Sequence, residues 1–183
     1  MELLCGIDEA GRGPIAGDLV MAGCILHAKI DGLNDSKKLT EKKREALFEL
    51  IIKDSEFHVF KATPKEIDDE GISSCLKRGL EEIMQNLKCK NYLFDGNTAF
   101  GVKGLETMIK ADGKIAEVSA ASILAKVTHD RDILGEAKKY PEYQFEKHKG
   151  YGTKLHVEMI KKYGYCEIHR RSYKLKALEP TLF

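Results

Sequence analysis

Gly6-Ile7-Asp8-Glu9-Ala10-Gly11-Arg12-Gly13-Pro14 sets two adjacent carboxylates at the end of a short apolar run and follows them with a Gly-Arg-Gly turn. The run predicts a strand over residues 2–7 that delivers Asp8 and Glu9 to its carboxyl end, where ligands bind in open α/β sheets. Two neighbouring anions repel, and burial raises their pKa values unless a cation sits between them. Hard oxygen donors suit Mg²⁺ or Mn²⁺. The glycines on either side of Arg12 leave the backbone bare enough for a phosphate or a sugar to approach. The same nine residues also fit a strand followed by an ordinary polar turn, so the rest of the chain decides between the two.

Outward from this segment, residues 18–26 form a second apolar run, tightly connected to the first, and read as its antiparallel partner. Thr40 caps a predicted helix with Leu47, Leu50 and Ile51 on one face. Residues 57–62 read as a third strand. Thr63-Pro64-Lys65-Glu66 is a capping box with proline at the first helical position. A helix carrying Leu76, Leu80, Ile83, Met84 and Leu87 follows. Tyr92-Leu93-Phe94 is a strand ending at Asp95, and residues 106–111 are a fifth ending at Asp112. A long helix over about 119–139 turns Ile123, Leu124 and Val127 inward, and another starts near Thr153. Three early strands, then two that alternate with helices, give a five-stranded mixed α/β sheet flanked by helices.

At 183 residues the chain suits one domain over 1–183. No apolar stretch approaches the ~20 residues of a membrane helix, and Met1-Glu2-Leu3-Leu4 lacks a basic signal-peptide start. Five cysteines without a C-x-x-C pair argue against a disulfide framework or a zinc site and for a reducing, cytoplasmic setting. A monomer is expected, since one core accounts for the hydrophobic faces. The net charge of +1 hides an asymmetry. Residues 147–176 hold nine Lys/Arg against two acids, while the remainder holds 21 basic and 27 acidic residues. That basic C-terminal helical segment is a candidate backbone-binding face on an otherwise acidic protein, or simply a solvated lysine-rich helix.

Three predicted strands end in carboxylates: Asp8 with Glu9, Asp95, and Asp112. Together they would make a costly cluster of anions unless divalent cations neutralise it. Two cations bridged by a phosphate are the usual device for in-line phosphodiester cleavage, one activating water and the other stabilising the leaving oxygen. Taken singly, Asp95-Gly96 and Asp112-Gly113 are also common turn dipeptides. No G-x-x-x-x-G-K-[ST] is present, which excludes a Walker-type nucleotide hydrolase.

The opening nine residues resemble the signature of the ribonuclease HII family. The resemblance continues in order through Asp35-Ser36-Lys37-Lys38-Leu39-Thr40, Asp95-Gly96 and Lys110-Ala111-Asp112. It extends to Val118-Ser119-Ala120-Ala121-Ser122-Ile123-Leu124-Ala125-Lys126 and His148-Lys149-Gly150-Tyr151-Gly152-Thr153. It implies a ribonuclease H-like fold and endonucleolytic cleavage of RNA in RNA–DNA hybrids. It also implies cutting 5′ to single ribonucleotides embedded in duplex DNA, leaving 3′-hydroxyl and 5′-phosphate ends, with Mn²⁺ or Mg²⁺ as cofactor. By position it makes Asp8, Glu9, Asp95 and Asp112 the catalytic metal-binding acids. Gly11, Arg12 and Gly13 would read the 2′-hydroxyl that separates RNA from DNA, and Tyr151 would stack on the deoxyribose past the junction.

Ser36, Lys37, Lys38, Lys126 and Arg170 are expected among the substrate contacts, chiefly to phosphates, with packing roles as the alternative for Arg170 and Arg171. Ser119 and Ser122 read as helix caps, Asp130 and His156 as structural. Three departures from the family pattern stand out. Asp18 replaces a frequent proline, which should loosen the start of the second strand. His129 replaces an arginine, which should cost an ion pair on the helix surface. The chain stops soon after the basic segment, so weaker, more salt-sensitive binding is expected. A catalytically silent nucleic-acid binder would lack one of the acids. Another two-metal phosphotransferase of this fold would lack the Gly-Arg-Gly turn and the Gly150-Tyr151-Gly152 loop.

Overall fold

In the computed structural model, which describes residues 3–175, the chain runs β1 (Leu4–Ala10), β2 (Leu19–Leu26), α1 (Glu41–Asp54), β3 (Ser55–Ala62), α2 (Pro64–Glu70) and α3 (Ile72–Asn86). It continues through β4 (Asn91–Asp95), β5 (Glu106–Met108), α4 (Ala116–Ala137), α5 (Phe145–His148) and α6 (Lys154–Tyr163). The sheet order is β3-β2-β1-β4-β5. The β1–β2 and β2–β3 pairs are antiparallel, and the β1–β4 and β4–β5 pairs are parallel. This is the expected mixed five-stranded sheet.

Alternation along the strands sends side chains to two cores. Cys5, Ile7, Leu19, Met21 and Phe60 meet Leu76, Leu80 and Ile83 of α3. Val20, Ala22 and Cys24 meet Leu47 and Ile51 of α1 and Ala121, Leu124 and Ala125 of α4. A third cluster packs Ile15 and Ala16, between β1 and β2, against Ile133, Tyr143, Phe145 and Ile160. The Thr63 capping box forms as read, with Thr63 and Glu66 bonding each other's backbone.

The Ser-Ala-rich stretch of α4 lets this helix lie directly on the sheet. A methyl group on Gly6 would fall 2.3 Å from the backbone carbon of Glu117 and the nitrogen of Val118. Gly6→Ala is therefore expected to destabilise the fold by about 1–3 kcal/mol, the usual range for forcing extra volume into a packed interior. A lowered urea midpoint would report it.

Several local expectations change. β1 extends to Ala10, so Asp8 and Glu9 lie within the strand and point to opposite faces. Leu50 is exposed, because α1 buries only the narrower stripe of Leu47 and Ile51. β5 stops at Met108 instead of continuing to residue 111. There Lys110 adopts a left-handed conformation (φ 59°), and a short 3₁₀ turn over Ala111–Gly113 carries Asp112 off the sheet edge. Ser119 and Ser122 do not cap α4, which begins at Ala116 with Ile115 before it; both face its buried side. The basic stretch is helical only to Tyr163, and its last residue, Lys176, lies outside the described residues. Among the described residues no helix is long and apolar enough to cross a membrane.

Candidate active site

Asp8, Asp95 and Asp112 converge, with one carboxylate oxygen of each within 4.8 Å of the others. The sheet brings the first two together because β1 and β4 run parallel, with Ile7 opposite Phe94 immediately before the acids. Asp95 then recruits the third. Its two oxygens accept the backbone N–H groups of Lys110 (2.9 Å) and Asp112 (3.2 Å). Those two bonds draw the chain off β5 and explain why that strand is short. Ser119 Oγ donates to the Asp112 carbonyl and fixes the turn from the α4 side.

The electrostatics are strained in the direction a cation would relieve. Burial, then the Glu9 charge, raises the Asp8 carboxyl well above the ordinary carboxylate range. Burial, then the charges of Asp95 and Asp35, pushes Asp112 up to about 6. Glu9 is raised by burial, with the Arg12 guanidinium 3.6 Å away pulling the other way. Glu9 Oε2 is buried without a hydrogen-bond partner. Glu9 stands outside the tight trio but lines the same pocket of about 480 Å³, with Asp35, Lys37, Lys38, Lys110 and Lys114 on the remaining walls. Hard oxygen donors, unrelieved repulsion and an orphaned carboxylate oxygen fit a divalent cation such as Mg²⁺ or Mn²⁺.

Asp35, not singled out from the sequence as a site acid, faces Asp112 closely enough to raise it while accepting the Lys37 N–H at 2.9 Å. Its place inside the Asp35-Ser36-Lys37-Lys38 match was the available signal. Ser36 is buried and bonds Ser122 Oγ at 2.9 Å. The Ser122 hydroxyl in turn faces the Asp8 carboxylate and favours its charged form. The Ser36 side chain thus supports an acid from below and does not face a phosphate. Lys37 and Lys38 are exposed at the pocket wall, where they can.

Beside the acids lies the Gly11-Arg12-Gly13 turn. Gly11 has φ +83°, and a side chain there would strike the Asp18 carbonyl and the His129 ring. Arg12 is half-exposed and approaches the Phe100 ring. Tyr151, 42% exposed, reaches the same turn, its Cε1 lying 3.8 Å from where a Gly13 methyl would be. Lys126 is tied to Asp130 at 2.8 Å, with its Nζ 6.0 Å from the Tyr151 ring centre. Burial would raise Asp130, but bonds from His129 and Lys126 outweigh it and hold the carboxyl below its ordinary value.

His129 is buried and contacts Asp130 at 3.1 Å, so the expected loss of a surface ion pair is replaced by an internal contact. Arg170 is not a surface substrate contact and takes the packing role that was its alternative. It is 1% exposed, and its guanidinium donates to the carbonyls of Gly17 and Arg12. The next residue, Arg171, gives its backbone N–H to Asp68 of α2.

The family model for ribonuclease HII matches residues 5–176. The chain belongs to the ribonuclease HII family. A ribonuclease HII of Sulfurovum sp. (strain NBC37-1) is 62% identical over 98% of this chain and 96% of its own length. One from Campylobacter jejuni subsp. jejuni serotype O:6 is 55% identical over 94% of this chain and 91% of its own. Among solved structures, the chain resembles one in the PCNA:RNase HII complex from Archaeoglobus fulgidus, with a TM-score of 0.82, 30% identity and coverage of 95% and 96%. It also resembles ribonuclease H2 from Pyrococcus horikoshii OT3, with a TM-score of 0.76, 31% identity and coverage of 94% of each chain. The fold is therefore ribonuclease H-like, and the protein is a ribonuclease H nuclease acting on RNA–DNA substrates. Ribonucleases H depend on divalent metal, and the buried acids are a group able to bind it.

Proposed function

We propose that this ribonuclease HII cleaves the RNA strand of RNA–DNA hybrids and cuts duplex DNA on the 5′ side of single embedded ribonucleotides. The products would carry 3′-hydroxyl and 5′-phosphate ends, and the cell would use the reaction to remove misincorporated ribonucleotides. One juxtaposition carries the reading. Three carboxylates sharing a 4.8 Å neighbourhood adjoin a bare-backbone turn packed against a half-exposed tyrosine.

In this reading Asp8, Asp95 and Asp112 hold the cations and Glu9 completes the set. Two divalent cations held there would activate the attacking water and stabilise the leaving oxygen. The rest belongs to the chain. The backbone of Gly11, Arg12 and Gly13 bonds the 2′-hydroxyl, which only a ribonucleotide offers. Tyr151 packs on the next sugar, where a second 2′-hydroxyl would clash. Lys37 and Lys38 contact phosphates and set the register of the duplex. Lys126, braced by Asp130, supports the tyrosine from α4. Arg170 and Ser36 act from beneath the surface, one holding the turn and the other the Ser122–Asp8 contact.

The test is cleavage of an end-labelled DNA duplex containing one ribonucleotide, with Mg²⁺ and with Mn²⁺, by wild type and Asp95→Asn. A single metal-dependent cut 5′ to the ribonucleotide is expected, lost in the variant. Cleavage confined to continuous hybrids would remove the junction role of Arg12 and Tyr151. Binding without cleavage under either metal would sink the catalytic assignment of the acids.

A further inference from the structure

Three histidines of the basic segment are buried, and none of them touches the acids. His156 is 0% and His169 2% exposed, with His148 stacked on His156 at 4.1 Å between ring centres. Their hydrogen bonds form a directed chain. His156 Nδ1 lies 2.9 Å from the Tyr151 carbonyl oxygen. A carbonyl only accepts, so Nδ1 carries the proton and, in the neutral ring, Nε2 is the acceptor. His156 Nε2 is 3.0 Å from His169 Nε2, so His169 must carry its proton there. That leaves His169 Nδ1 free to accept, and the Cys166 N–H donates to it at 2.9 Å. Each link uses one proton, and reversing any ring breaks two contacts.

The next residue grips the other half of the reader. Arg170 donates through Nε and Nη2 to the Gly17 carbonyl at 2.9 and 2.7 Å and through Nη1 to the Arg12 carbonyl at 3.3 Å. Tyr173 OH accepts from Arg170 Nη1 at 3.2 Å and donates to the same Arg12 carbonyl at 2.8 Å. The dipeptide is itself clamped to the segment after the turn, by the Arg170 N–H on the Ile15 carbonyl and the Gly17 N–H on the Ile168 carbonyl. Two adjacent residues therefore fix the backbone on both sides of the gap between Arg12 and Tyr151.

We propose that His169 and Arg170 are positioning residues that set the width of the junction reader, His169 acting through His156 on Tyr151 and Arg170 acting directly on Arg12. They thereby set the preference for a single ribonucleotide in DNA over a continuous hybrid. The inference rests on the reading of Tyr151 and the Gly-Arg-Gly turn given above. It assigns function to a buried relay that contacts neither substrate nor cation. A histidine in water favours the Nε2–H tautomer, so the Nδ1–H form demanded of His156 is a signature of the relay itself.

Imidazole ¹⁵N spectra of the histidine-labelled full chain at neutral pH read that signature. His156 protonated at Nδ1 and His169 at Nε2 is the expected result; His156 in the Nε2–H form overturns the proposal. The second readout is the ratio of kcat/KM on a one-ribonucleotide duplex to that on a continuous hybrid. His156→Leu is expected to lower the ratio by roughly tenfold or more, since a small misplacement of a recognition group is that costly. Its kcat on the hybrid should stay within about threefold of wild type. His156→Asn, whose amide can still donate to the Tyr151 carbonyl but no longer reaches His169, is expected to restore the ratio only in part, and full restoration would remove His169 from the relay. A folded His156→Leu with the wild-type ratio refutes the relay. Tyr151→Ala separates the two levels. If it too leaves the ratio unchanged, the junction reading has failed and the proposal with it. If it collapses the ratio while His156→Leu does not, only the relay has failed.

Discussion

Asp8→Asn is expected to lower kcat by about three orders of magnitude, some 4 kcal/mol of transition-state stabilisation, while raising the melting temperature of the metal-free protein. Both effects come from one carboxylate. Asp8 is 8% exposed and shares its surroundings with Asp95 and Asp112. Burial and the Glu9 charge raise its folded pKa above the unfolded value. For an acid this means the folded state binds its proton more tightly than the unfolded state does. At neutral pH, above the unfolded pKa, holding that group ionised opposes folding. Asparagine removes the charge and keeps an oxygen for the Glu9 N–H, which Asp8 Oδ1 now accepts at 2.7 Å. Thermal melts with and without Mg²⁺ give the check. Wild type should gain stability on adding the cation, and the variant should start higher and gain little. A variant less stable than the metal-free wild type would contradict the account of the site as a store of repulsion.

Acidification is expected to unfold the C-terminal half of the reader through the histidines. Burial, with smaller contributions from neighbouring histidines, lowers His156 to about 4, and burial likewise lowers His169 to about 4, against an ordinary value of 6.5. A base whose folded pKa is depressed contributes no penalty above its unfolded pKa. Stability is lost as pH falls from 6.5 toward 4, because the unfolded chain takes up protons that the folded one refuses. The cost is on the order of 3 kcal/mol for each ring. Asp112, raised to about 6, titrates in the opposite sense, since protonating it relieves repulsion. The histidine contribution is therefore read as a difference. Urea unfolding between pH 7.5 and 4.5 should show a steeper loss for wild type than for His156→Asn. Parallel curves would remove the histidines from the account.

The strand that opens the chain, the four acids and the element order were legible because each rests on local pattern: an apolar run, a carboxylate at its end, a capping box at Thr63. Asp112 was legible as a residue but not as a turn, since the bonds that end β5 run from Lys110 and Asp112 back to Asp95, fifteen and seventeen residues earlier along the chain. Ser36 and Ser122 are separated by 86 positions, and nothing local tells a hydroxyl facing solvent from one facing another hydroxyl. Arg170 was the hardest. An arginine in a basic stretch reads as surface, and its burial depends on the Gly17 carbonyl 153 positions away. The three histidines share that difficulty, for a tautomer is fixed only by partners the fold supplies.

Helix α4 has a part in every piece of the site. Val118 meets the backbone at Gly6, Ser119 and Ser122 hold the acids, Lys126 lies under Tyr151, and His129 packs on Gly11. From Ser119 to His129 the rise is about 15 Å at 1.5 Å per residue. Chemistry and recognition are thus graduated along one rigid rod, which works as a ruler. On the junction reading proposed above, the offset between the ribonucleotide and the cut bond would follow helical pitch. Inserting one residue between Ser122 and Lys126 would turn the marks by roughly 100° relative to each other and leave an enzyme with both parts intact and no agreed place to cut.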